Sequence, residues 1–224
     1  MPLAAAAGLQ AASLARAIAS RVLAVPDALA AVAGWRPAKK LRVRVVILRD
    51  ERGAPLVGED AVEESLAEAR RVLAREAAVE LVPAGDRLLE TLAESAPAAA
   101  LEHPCSAQGL WRADLGPAGA YFRRRLARGA GLPLGRGAPI TVFVVRDIVG
   151  KCGCSLGPLG DYVTIDRGGL GGRTRRILAH ELGHSCGLRH SSRDDNLMRA
   201  VGPGERLTRL QATVLRTSRH VTYL

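Results

Sequence analysis

Residues 41–48 alternate basic and apolar side chains and then turn wholly apolar, which predicts a strand. Residues 60–76 place Val62, Leu66, Ala69, Val72 and Leu73 at helical spacing, with Asp60 as the expected N-cap. Residues 79–83 predict a second strand, 87–94 a short helix, and 95–116, with Pro97, Pro104 and Gly109, a loop. A further helix is expected over 117–128. The apolar, β-rich run 139–145 predicts a central strand. A short strand rich in Gly and Cys follows at 150–156, and another at 161–166, where Tyr162, Thr164 and Asp166 alternate. A Gly-rich turn, 168–172, leads into a helix over 174–186. The last helix, 207–218, shows its spacing in Leu207, Leu210, Val214 and Leu215.

Ahead of these elements, residues 1–34 are Ala-rich, with Arg16 and Arg21 and no acid before Asp27. The chain divides into a helical N-terminal extension, 1–38, and a main domain, 39–224. The extension is a poor secretory signal, because its start carries no positive side chain and arginines interrupt the apolar run. Pro26 and Asp27 break the other apolar stretch, so no transmembrane segment is expected. A targeting segment or propeptide and a helix packed on the domain both remain open. No internal repeat is present.

One stretch of chain carries the candidate chemistry. The run His180-Glu181-Leu182-Gly183-His184-Ser185-Cys186-Gly187-Leu188-Arg189-His190 is followed by Met198. On a helix His180 and His184 are one turn apart and share a face. Glu181 stands beside them, within reach of a water held by a metal. Gly187 lets the backbone leave the helix with positive φ, and that turn brings His190 back as a third ligand. Three protein ligands leave a fourth position open, which marks a catalytic zinc rather than a closed structural one. Five fixed positions in this spacing arise by chance in roughly one chain of this length in ten thousand.

This run resembles the metzincin zinc peptidases, and most closely the matrixins, in which a serine follows the third histidine and a Leu-Met pair closes a turn. Here the segment reads His190-Ser191-Ser192-Arg193-Asp194-Asp195-Asn196-Leu197-Met198. The resemblance covers about residues 173–200. It implies an α+β, metzincin-like (zincin) catalytic domain: a mixed twisted sheet, an active-site helix and a small C-terminal lobe. It implies one catalytic Zn2+ held by His180, His184 and His190, Glu181 as general base, Gly187 at the turn, and Met198 as the apolar floor under the ligands. By the same analogy the substrate lies extended along the edge strand, on Gly153, Cys154, Ser155 and Leu156. Several matrixin features are absent: a pro-segment of the PRCGxPD type, the histidines of a structural zinc, a calcium loop, and a tyrosine after Met198.

Charge and cysteines adjust this picture. The net charge is +10, with 48% hydrophobic and 3% aromatic residues, so the core must rest on Leu, Val, Ile and Ala. A sequence pI near 10.4 allows an anionic partner or a merely Arg-rich composition. The basic clusters are short, scattered and without interleaved aromatics, so no specific nucleic-acid binding is expected. Four cysteines, Cys105, Cys152, Cys154 and Cys186, favour an extracytoplasmic or secreted setting with one or two disulfides. One expectation is a bond anchoring the 150–156 strand to the Cys105 loop; a thiolate ligand to zinc in a latent state is the alternative. Cys186 is expected as a small buried residue, and His103 and His220 as structural or exposed.

The expected function is a zinc-dependent peptidase, a monomer acting on a peptide or protein substrate. A zinc amidase or esterase on a small substrate would use the same site. A basic binding module with a structural zinc is the remaining alternative, which the intact Glu181 disfavours, since a structural site needs no base.

Overall fold

A computed structural model describes residues 3–105, 116–128 and 135–224, so 106–115 of the expected 95–116 loop, Gly109 among them, lie outside the described residues, while Ala98–Leu101 form a helix and Glu102–Pro104 a short strand where a loop was expected. The organising element is β1 (Lys39–Arg49), which pairs along both edges. On one edge, β2 (Val79–Pro83) and β3 (Leu89–Ser95) run parallel to its first and second halves. On the other lies β5 (Ile140–Val145), again parallel, then β8 (Tyr162–Asp166), and finally β7 (Gly153–Ser155), antiparallel at the sheet edge. A short β9 (Val221–Thr222) returns the C-terminus to β1 at Lys40 and Leu41. A separate two-stranded pair joins β4 (Glu102–Pro104) to β6 (Asp147–Val149).

Successive side chains of a strand point to opposite faces, and both faces of this sheet are covered. Leu41, Val43, Val45 and Ile47 of β1 enter one core with Val142, Val144, Val163 and Ile165. Val46 and Leu48 enter the other. Both phenylalanines and two of the three tyrosines gather in that second core, with Phe122 4.8 Å from Phe143 and 5.3 Å from Tyr162 between ring centres. The scarce aromatics are therefore concentrated on one face, and the first core is aliphatic.

The first face is roofed by α3 (Glu59–Ala77), whose Val62, Leu66, Ala69, Val72 and Leu73 are fully buried, as their spacing requires. Its N-cap is Gly58 rather than Asp60. Asp60 sits one turn-position inside, and its carboxylate folds back so that a Cβ at Gly58 would come within 2.3 Å of it. The same layer holds α6 (Ile177–Ser185), shorter than the expected 174–186 because a 3-10 turn, Gly172–Thr174, precedes it. It also holds α7 (Arg209–Arg216), where Thr208 and Gln211 form a capping box. The second face carries α4 (Ala98–Leu101) and α5 (Pro117–Arg124).

Residues 87–94 contradict the sequence expectation. They supply β3, not a helix. The run is too short to pay for helix nucleation, and the second half of β1 offers an open parallel edge to pair with.

The N-terminal residues form α1 (Leu3–Leu23) and α2 (Val25–Val32). Asp27 pairs with the buried Lys39 ammonium and accepts a hydrogen bond from the Tyr223 hydroxyl at 2.7 Å. Lys39 also donates to the Arg216 carbonyl at 3.1 Å. No described helix is long and apolar enough to cross a membrane.

His103 and His220 are both buried. His103 packs edge-on to Phe122 at 5.8 Å. His220 donates from Nδ1 to the Ala138 carbonyl at 2.8 Å, and burial pushes its pKa from 6.5 down to about 4. Between pH 6.5 and about 4 the unfolded chain binds a proton that the folded one refuses, so stability falls as pH falls through that window. Denaturant midpoints measured from pH 7 to pH 4 should therefore decline. His220→Gln, which keeps a donor for Ala138, should flatten part of the slope. An unchanged slope in that variant would mean that His220 titrates normally in the folded chain.

Candidate metal centre

The α6 helix is apolar on nearly every side, and Leu178, Ala179, Leu182 and Gly183 are buried in the first core. Burial fixes its rotation, which leaves Glu181 and Ser185 on the side that faces β7. The helix ends at Cys186. Gly187 has φ +94°, its N–H donates to the His184 carbonyl at 2.8 Å, and the Leu188 N–H donates to the Gly183 carbonyl at 2.9 Å. These are the two bonds of a Schellman ending, and they reverse the chain so that His190 comes back over the helix.

The result is a close cluster. His184 Nε2 lies 3.1 Å from His180 Nε2 and 3.2 Å from His190 Nε2. Among the described residues, His180, His184 and His190 are the group able to hold a metal ion, with ligand atoms all within 4.8 Å of one another. Two ligands about 2.05 Å from a tetrahedral zinc are about 3.3 Å apart, so the spacing suits that ion.

The other ring nitrogens decide the tautomer. His180 Nδ1 donates to the Leu197 carbonyl and His184 Nδ1 to the Leu188 carbonyl, both at 2.8 Å. With the protons held there, both Nε2 atoms carry lone pairs aimed at the same point, and such lone pairs repel unless a cation stands between them. Burial pushes the His180 pKa down to about 4 and lowers that of His184, which keeps both rings neutral. The residues present therefore fit a zinc ion.

Glu181 is buried beside the cluster, and burial raises its pKa to about 8, with Lys151 opposing the rise. Its carboxylate lies against Gly153 of β7. A Cβ there would fall 2.5 Å from Glu181 Oε1, so any larger residue at 153 must displace the carboxylate.

The remaining candidates on this strand separate by face. Gly153 and Ser155 turn toward α6, and Ser155 Oγ is hydrogen-bonded to Ser185 Oγ at 2.9 Å. Cys154 turns to the second core and is bonded to Cys105. Leu156 is half-buried and lies just past the strand, which spans only Gly153–Ser155 of the expected 150–156. Cys152 is a free, exposed thiol and Cys186 a free, buried one whose pKa burial raises to about 11.

Met198 is fully buried, in the same aliphatic core as α6. It packs so closely on Gly183 that a Cβ at 183 would meet Met198 Sδ at 2.7 Å. Sequence reasoning missed the residues that hold this turn. The Arg176 guanidinium, buried at the start of α6, donates to the Leu197 carbonyl at 2.6 Å and to the Arg199 carbonyl at 2.8 Å. It thereby fixes the carbonyl that receives His180. Asn196 accepts from the Met198 N–H at 3.0 Å and exchanges two hydrogen bonds with Gln211 of α7. Position next to the motif was the one available signal for Arg176 and Asn196.

No protein-family model matches this chain, and no curated protein matches it. Among solved structures, mirolysin in complex with compound 9 is similar, with a TM-score of 0.50 and 13% identity over 81% of this chain and 91% of that one. Metalloproteinase-II from Bacteroides fragilis gives a TM-score of 0.48 and 12% identity over 81% of this chain and 54% of that one. At such identities the likeness is one of fold. The fold is α+β and metzincin-like, a mainly parallel sheet with one antiparallel edge strand lying against the histidine helix.

Proposed function

We propose that this chain is a zinc-dependent peptidase of the metzincin type, matrixin-like in its His190–Met198 segment. The observation that supports it best is the convergence of three imidazole Nε2 atoms beside a buried carboxylate that makes no hydrogen bond or ion pair among the described residues. A structural metal site needs no such carboxylate.

His180, His184 and His190 would hold the ion, and Met198 with Gly183 would form the surface on which the ligands rest. Zinc supplies Lewis acidity there, activating water and polarising the scissile carbonyl. Glu181 accepts the proton of the attacking water on its carboxylate and hands it to the leaving amine. Its apolar surroundings favour the protonated form and a cation held by the histidines would favour the ionised one, and these opposed pulls suit a group that serves first as base and then as acid. The substrate backbone pairs with the outer edge of β7, where Gly153 and Ser155 present little bulk. The Cys105–Cys154 bond then holds that edge from the opposite face, and it supports an extracytoplasmic or secreted setting.

Glu181→Gln should keep about one zinc per chain and lose hydrolysis of a mixed peptide library by about 10²–10⁴-fold. His184→Ala should lose the metal. Full zinc in His184→Ala, or full turnover in Glu181→Gln, would remove these residues from their roles.

Gly153→Ala tests the contact between strand and base. The new methyl group must push the carboxylate aside, so turnover should fall at least tenfold with zinc content unchanged. Wild-type turnover in this variant would show that the Glu181 rotamer has room to spare. In a complex with a peptide-like inhibitor, the ligand backbone should hydrogen-bond to Gly153–Ser155. A ligand lying across the three histidines without touching that strand would exclude the edge assignment.

A further inference from the structure

We infer that Arg21 of α1 is a positioning residue of the metal centre, so that the N-terminal helix takes part in building that centre. This rests on the zinc reading above. Arg21 Nη2 donates to the Cys186 carbonyl at 2.8 Å, and Nη1 donates to the Val214 carbonyl at 2.5 Å and to Thr217 Oγ1 at 2.6 Å. Cys186 is the C-cap of the histidine helix, where the last carbonyls lack helical partners and the helix dipole presents its negative end. A guanidinium is the side chain best shaped to satisfy several such acceptors at once.

The clamp sits on the turn that completes the ligand set. A Cβ at Gly187 would come within 2.5 Å of Arg21 Nη2, so the guanidinium is packed directly against the residue with φ +94°. One residue on, the Leu188 carbonyl orients His184 through Nδ1. Two residues beyond that comes His190. Arg21 thus ties the Cys186–Leu188 turn to the end of α7, and with it the orientation of one ligand and the delivery of another. Gly187 meets two demands at once, a left-handed backbone and room for Arg21. The same helix also lies against Gly157–Leu159, just after the edge strand β7.

The test is zinc affinity of the full-length chain by chelator competition, read beside the thermal unfolding of the metal-free protein. Arg21→Met should bind zinc about 10–100-fold more weakly, the loss expected when support behind a ligand is removed. Arg21→Lys, with an ammonium able to reach only part of the acceptor set, should fall between it and the unsubstituted chain. Thr217→Val removes one acceptor of the clamp on the α7 side, so it should lower the melting temperature and leave zinc affinity within about twofold. Should Arg21→Met fail to fold, Arg21→Lys decides. Both arginine variants, or the lysine variant alone in that event, binding zinc as tightly as the unsubstituted chain would overturn the inference and leave Arg21 as a brace of the fold only. Failure of the unsubstituted chain to bind zinc would overturn the metal reading and this inference with it.

Discussion

Two imidazole lone pairs aimed at one point repel each other, and much of the structure around α6 serves to hold them there. The repulsion is unavoidable once His180 and His184 donate their Nδ1 protons to the Leu197 and Leu188 carbonyls. Those carbonyls are fixed in turn. Leu197 is gripped by Arg176, and the Leu188 turn is closed by its Schellman bonds and by Arg21. Two of the three candidate ligands, His180 and His184, are therefore each set by a backbone carbonyl, and each carbonyl by an arginine or a turn. That arrangement costs stability in the metal-free chain and returns it when a cation binds.

The sheet accounts for where this cluster lies. Both faces of β1 and β5 are buried, so the layers on either side have fixed depth. The α6 helix rests on the aliphatic face, and β7 is the antiparallel strand alongside it. The disulfide from Cys154 reaches through to the aromatic face and ties the edge strand to the β4–β6 side of the molecule. An edge strand is ordinarily the least constrained part of a sheet. Here it is pinned at one face by Ser185 and at the other by Cys105, and only its outer edge remains open.

The parts legible in the sequence are those governed by short-range periodicity. β1, α3 and the central β5 follow from spacing alone, and the cluster of His180, His184 and His190 follows from helical geometry and one glycine. What escaped depends on contacts between distant segments. β3 became a strand because β1 had an edge to fill, a fact invisible in residues 87–94. Arg21 and Cys186 are 165 positions apart, and nothing in the Ala-rich N-terminus marks that arginine among the chain's many others. The partner of Cys105 was left open between neighbours because alternation along a strand chooses a face only once the layers are known. Cys154 faces the aromatic core, and Cys105 lies in that core.

The glycines of the motif carry a further lesson. In the run His180–His190, only Gly187 is required by backbone conformation, at φ +94°. Gly183 has helical geometry and occupies a position the bare motif leaves free, yet Met198 Sδ takes up the space its side chain would need. Gly153, outside the motif, is required by Glu181 in the same way. Gly183 and Gly153 share one cause. A short helix, buried along most of its length, must carry a large thioether on one side and a carboxylate on another, within a layer about 10 Å deep. Volume is conserved in such a layer, so each large group demands a missing Cβ opposite. The histidine cluster is thus specified by the side chains missing at 153 and 183, and by the left-handed turn at 187, as much as by the histidines themselves.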